Sequence, residues 1–111
     1  MLTLENLKAF GANTQEGLSR CLNNEEFYLK MINIGINDAH FSSLQENLKN
    51  NNLEQAFEDA HALKGSIGNL AITPLYEPIV KITELLRAKT SDGCDKLCEE
   101  IIEARNKLLS L

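Results

Sequence analysis

Tryptophan is absent from this chain, valine occurs once, proline twice, and aromatic residues make up only 5% of its 111 positions. With 18 leucines against that one valine, the composition points away from β-sheet and towards helix. An excess of positive charge is also missing, since 16 acidic side chains face 11 basic ones for a net charge of −5. The chain therefore lacks the basic footprint of a protein that binds nucleic acid or an anionic membrane, and neither partner is expected. No apolar run approaches the roughly 18 residues that a membrane span requires. The opening residues, Met1 to Asn6, carry neither a basic nor an apolar leader segment. Three cysteines are an odd number, which argues against a closed disulfide framework. Cys94 and Cys98 fall side by side on a helix, but His40 and His61 lack metal-ligand spacing to that pair or to each other. Buried or half-buried reduced thiols are expected, and no metal site. What remains is one cytoplasmic domain, long enough to bury about two-thirds of its unfolded surface.

The punctuation divides the chain into helical segments. Thr3 caps a short helix over Leu4, Leu7 and Phe10, which Gly11 stops. Thr14, Gly17 and Leu18 predict a second short helix ending near Asn23 and Asn24. Asn24 precedes Glu25 and Glu26, good first-turn acids for a long helix. Phe27, Met31, Ile34, Phe41, Leu44 and Leu48 then recur at helical steps, with a bend allowed around Gly35–Asp38. Lys49 to Asn52 form a turn, and Ala56, Ala60, Leu63, Ile67 and Leu70 predict a helix over about 53–71. Thr73-Pro74 reads as a cap followed by proline in the first helical position. Leu75, Ile79, Ile82 and Leu86 continue that helix, with Pro78 removing one backbone bond. Ser91-Asp92-Gly93 separates it from a last stripe of Leu97, Ile101, Ala104 and Leu108. These segments predict an all-α fold over residues 1–111, an antiparallel up-down four-helix bundle preceded by one or two short helices.

The segment from Glu58 to Leu70 fails as pure packing. On a wheel of about 100° per residue with His61 at zero, Ala56, Leu63, Ile67 and Leu70 fall between about 180° and 240°. His61 lies about 150° from the centre of that stripe and should face water. Its own face carries Lys64 at about −60°, Gly65 at about +40° and Gly68 at about −20°. Each glycine costs a helix about 1 kcal/mol relative to alanine, and a helix needing only solubility would hold Glu, Lys or Ala there. The glycines clear side chains from around the imidazole, and Lys64 puts a cation at the rim. Such an arrangement suits a nucleophile that receives an anionic group, because a neutral ring nitrogen can attack phosphorus while an ammonium offsets the charge on its oxygens. The alternative is a surface histidine with two glycines placed for close helix contacts. Glu54, Glu58, Phe57 and Ile72 fall at about 20°, 60°, −40° and 20°, either as a solvated face or as the rim of a docking patch. His40 has no Lys-Gly partner and reads as a surface or hinge histidine.

The string His61-Ala-Leu-Lys-Gly-Ser-Ile-Gly-Asn-Leu70 resembles the signature of the histidine-containing phosphotransfer (HPt) domain family, His-x-Leu-Lys-Gly followed by small residues, Asn and Leu. Helix order and length are similar over essentially the whole chain. The resemblance implies that His61 is phosphorylated through its Nε2 and that Lys64 is the basic neighbour. Gly65 and Gly68 would be the open surface receiving a response-regulator receiver domain, and Asn69 matches the pattern as well. Ala71 departs from it where glycine is frequent, and Ile67 where a small residue is frequent. The implied function is that of a phosphocarrier in a two-component phosphorelay, without kinase activity of its own. It would accept a phosphoryl group from a receiver aspartyl phosphate and pass it to another receiver. The implied partners are receiver domains and a hybrid sensor histidine kinase, with Mg²⁺ supplied by the receiver and no cofactor on this chain, which is expected to be monomeric. The alternatives are a receiver-docking module that transfers nothing, or the substrate domain of a chemotaxis-type kinase. A leucine at position 68 is expected to block docking without loss of stability.

Overall fold

A computed structural model describes residues 1–111, and all of its regular structure is helical. The first helix, α1 (Leu4–Phe10), starts at a reciprocal cap in which the Thr3 hydroxyl accepts from Asn6 N at 3.1 Å and Thr3 N donates to Asn6 Oδ1 at 2.8 Å. Gly11, at φ +112°, ends it as anticipated. Helix α2 (Thr14–Arg20) is capped by Asn13. It stops short of Asn23 because Leu22 and Asn23 both turn into the left-handed region, at φ 58° and 57°.

The long helix expected over Phe27 to Leu48 is two helices, α3 (Glu25–Ile36) and α4 (His40–Lys49), parted where the sequence allows a bend. In α3 the expected stripe is not the buried one: Phe27 and Ile34 are exposed, because the helix turns the face of Tyr28, Ile32 and Ile36 to the core instead. The bond that would carry α3 onward runs from His40 N to the Ile36 carbonyl, and both groups are taken elsewhere. His40 N donates to Asp38 Oδ1 at 2.8 Å, while the Ile36 carbonyl accepts from Arg105 Nε at 2.7 Å. The Arg105 guanidinium also lies 5.2 Å from the Phe41 ring centroid, so one residue of the last helix clamps both sides of the break. His40 sits at this joint with its Nδ1 2.7 Å from Asp38 Oδ1.

Helices α5 (Leu53–Asn69), α6 (Thr73–Arg87) and α7 (Cys94–Leu109) complete the chain. Thr73 is the first residue of α6 and makes no capping hydrogen bond, so the proline enters in the first turn without the predicted cap. Pro78 lies inside α6, which continues through it. Helix α5 packs between α4 and α6, α6 packs on α7, and α4 also meets α7. Ala56, Ala60, Leu63 and Ile67 of α5 are buried, as the wheel requires, and share a core with Phe41, Leu44, Ile79, Ile82 and Ile101. One polar group joins them. Asp59, buried beside this stripe, accepts from Ser43 Oγ at 2.9 Å and Asn47 Nδ2 at 2.7 Å, pinning α5 to α4.

Two contacts tie the N-terminal helices to the end of α5. The Tyr28 hydroxyl, fully buried, donates to the Leu70 carbonyl at 2.8 Å, and Asn13 N donates to the Ala71 carbonyl at 2.9 Å. Gly17 makes room for the Tyr28 ring, whose atoms would stand 2.3 Å from a β-carbon at that position. Cys21, Cys94 and Cys98 are buried free thiols. Burial, aided by Asp95, pushes Cys98 up to about 11, and the same causes raise Cys94.

Candidate functional site

His61 lies near the middle of α5 with its side chain exposed, on the face opposite the buried stripe. Four residues earlier, the half-buried Phe57 ring stacks against the imidazole with centroids 5.6 Å apart and planes 13° from parallel. The guanidinium of Arg87, from α6, lies 5.1 Å from the Phe57 centroid. No ion pair engages the imidazole of His61, in contrast to that of His40.

Lys64 follows one turn after His61, with its Nζ 4.0 Å from Glu84 Oε1 on α6. Glu84 is 55% exposed, and a pair of that exposure contributes at most about 1 kcal/mol, so an anion beside His61 can draw the ammonium away. Gly65 is open, since a β-carbon built there meets nothing within 4 Å. Gly68 is different. Its β-carbon would lie 2.9 Å from Tyr76 Cε1, so the absent side chain makes room for a ring of α6. A leucine at 68 would have to displace that ring, which counts against the expectation that stability is kept, and the packing alternative fits that one glycine.

His61, Lys64, Gly65, Gly68 and Asn69 line a single open groove of about 610 Å³. Its other wall comes from α2 and α6. Arg20 Nη1 donates to the Gly68 carbonyl at 2.7 Å while Nη2 pairs with Glu16, and Tyr76 borders the opposite side. The groove thus contains a second cation, Arg20, that no local pattern revealed. The residue lies 48 positions before Gly68 and reaches it only through the packing of α2. Glu58 is exposed on α5 but does not line the groove.

Ile72 does not rim the site; it is fully buried. The wheel placed it at about 20°, beside His61, by carrying helical rotation past the end of the helix. In fact α5 ends at Asn69, and Ala71 adopts φ +57°, which turns the next side chain into the core. The same torsion bears on the departure at Ala71, because the left-handed region is where glycine is favoured.

The chemistry this arrangement can perform is narrow. It offers an exposed imidazole, a cation one turn away, a second cation across the groove and an unobstructed approach over Gly65. Nowhere do three or more His, Cys, Asp or Glu side chains converge as they would around a metal ion. No helix is long and apolar enough to cross a membrane.

Fold and site together define an all-helical protein that displays a histidine in an open groove walled by Lys64 and by an Arg20–Glu16 pair. The sequence model of the Hpt domain matches residues 37–110, and the chain belongs to that family. Hpt domains are helical phosphocarrier modules of phosphorelays that interact with receiver domains; they are not kinases. No curated protein and no solved structure matches the chain.

Proposed function

We propose that this protein is a histidine phosphotransfer protein that carries a phosphoryl group on His61 between receiver domains. The observation that carries the reading is the exposed imidazole beside Lys64, in a groove that Gly65 leaves open, on a chain of the Hpt family. A lone pair of the imidazole attacks the phosphorus of a receiver aspartyl phosphate, the phosphorus–oxygen bond breaks, and the aspartate leaves as a carboxylate. A second receiver aspartate reverses the step. This chain supplies the nucleophile and the cations that offset charge on the phosphoryl oxygens, whereas the receiver supplies Mg²⁺.

The reading also makes residues 1–111 one monomeric, cytoplasmic domain built on the antiparallel up-down bundle. Short connections at Asn50–Asn52, Leu70–Ile72 and Ala88–Gly93 between helices that pack in succession support it. So do the bonds from Tyr28 and Asn13 to the end of α5.

Incubation with a phosphorylated receiver should produce an acid-labile phosphohistidine. His61→Gln should abolish the label without changing the thermal transition, because the side chain is exposed. Label that survives the substitution removes His61 from the role. Binding of the receiver without any label would mark a docking module, and label obtained only with ATP and a kinase would mark a kinase substrate domain.

A further inference from the structure

We propose that Phe57 is a positioning residue that holds the His61 imidazole in the orientation from which it attacks, rather than a contact for the partner protein. The inference rests on the phosphotransfer reading of His61 and assigns Phe57 a part within it.

Side chains on a helix lean towards its N-terminus, so the imidazole at 61 is laid back over the residue one turn earlier. That residue offers a flat face. The separation of 5.6 Å at an interplanar angle of 13° is an offset stack, the arrangement aromatic rings prefer to a direct face-to-face sandwich. A stack of this kind limits rotation of the imidazole about its own bonds and fixes which direction its edge presents.

A platform must itself be fixed. Phe57 is half-buried and packs against the hydrophobic core, and Arg87 lies over its ring at 5.1 Å. Arg87 is held in turn by Glu84, whose Oε2 is 3.3 Å from Nε, while the other carboxylate oxygen faces Lys64 Nζ at 4.0 Å. One exposed carboxylate on α6 therefore lies between Arg87, which covers the ring beneath the nucleophile, and Lys64, which it holds only weakly. On the Gly65 side the helix surface is bare. With the ring supported on one side and bare on another, the helix presents a directed lone pair instead of a freely rotating one. Transfer through an in-line arrangement is sensitive to such direction, since small misplacements of a reacting group cost up to about a hundredfold in rate.

The test uses the full chain with Phe57→Leu, which keeps apolar burial and removes the flat face, and Phe57→Tyr, which restores it. In the free protein, NMR should show proximity signals between the His61 and Phe57 ring protons, lost in Phe57→Leu and kept in Phe57→Tyr. Labelling from a phosphorylated receiver should slow about tenfold in Phe57→Leu and recover in Phe57→Tyr. Affinity for the unphosphorylated receiver should not change. Arg87→Gln, which alters only an exposed side chain, should slow labelling by a smaller factor, about two- to threefold. The proposal is overturned if Phe57→Leu labels at the unaltered rate, if its loss lies wholly in receiver affinity, or if the ring contact is missing in the unsubstituted protein. Failure of the phosphotransfer reading looks different, because label would then be absent or would survive His61→Gln while the ring contact persists.

Discussion

The absence of a side chain at Gly65 leaves the helix bare one turn beyond His61. Gly65 and Gly68 look equivalent on a helical wheel, yet one faces open space and the other faces the Tyr76 ring. Replacing Gly65 with leucine relieves the backbone-entropy cost of glycine, and the added β-carbon meets no neighbour. Stability should rise by up to about 1 kcal/mol, seen as a melting temperature higher by several degrees, while transfer from a receiver falls at least about tenfold. Gly68→Leu should instead lower the melting temperature, because the Tyr76 ring must move aside. A Gly65→Leu protein that transfers normally would show that the bare patch is not the approach path. The histidine, the lysine and both glycines were legible from spacing alone; which glycine faces open space and which faces a neighbouring ring was not. That distinction belongs to α6, a different part of the chain.

At the scale of elements, the turn between α5 and α6 carries the site's C-terminal boundary. Ala71 occupies it at φ +57°, a region that costs an L-residue roughly 1–2 kcal/mol and glycine almost nothing. Against that stands the entropy that glycine adds to the unfolded chain, about 0.4–1 kcal/mol. Ala71→Gly should therefore stabilise the protein by about 0.5–1 kcal/mol in urea unfolding without changing transfer. A loss of stability would mean that the alanine methyl makes contacts outweighing the torsion. Buried faces followed the sequence pattern closely from Ala56 to Ile67 and from Leu75 to Leu86, but not in α3, where Tyr28, Ile32 and Ile36 are buried in place of Phe27 and Ile34. Ends were less readable. A bend near Gly35–Asp38 was legible, but not that Arg105 takes the Ile36 carbonyl at the break, and the inward turn of Ile72 depends on a torsion that a periodic pattern cannot express.

At the scale of the whole molecule, a buried tyrosine joins the N-terminal helices to the rest of the bundle. Tyr28 lies between Gly17 of α2 and the Leu70 carbonyl, so it couples the N-terminal helices to the helix that bears His61. Burial, with a smaller effect from Cys21, pushes its hydroxyl from 10.0 up to about 12. The unfolded chain ionises first, so the stability that comes from keeping this phenol protonated is complete below pH 10.0 and disappears as pH rises to about 12. The loss should approach 2–3 kcal/mol, on the order of 1.4 kcal/mol per pH unit of displacement. Cys98, raised to about 11, acts with the same sign at slightly lower pH. Urea unfolding followed from pH 8 to 12 should show this decline, and Tyr28→Phe should flatten it. The phenylalanine variant should also be less stable at neutral pH by about 1–3 kcal/mol, because it leaves the Leu70 carbonyl without its donor. An unchanged alkaline decline in that variant would assign the effect to other groups.

Leucine-rich periodicity, turn clusters and the His-x-x-Lys-Gly spacing determined that the chain is helical, which faces α5 and α6 bury, and that one histidine stands apart from the core. These are properties of neighbours within a few positions, and a helix turns local order into a fixed angular arrangement. Tertiary packing alone decided that Arg20 joins the groove, that Tyr76 fills the space beside Gly68, and that Phe57 lies between Arg87 and His61 in one connected set of contacts. The physical reason is distance along the chain. Each of those contacts joins helices whose relative rotation and depth of packing are set by the entire core, and no short stretch of sequence contains that information.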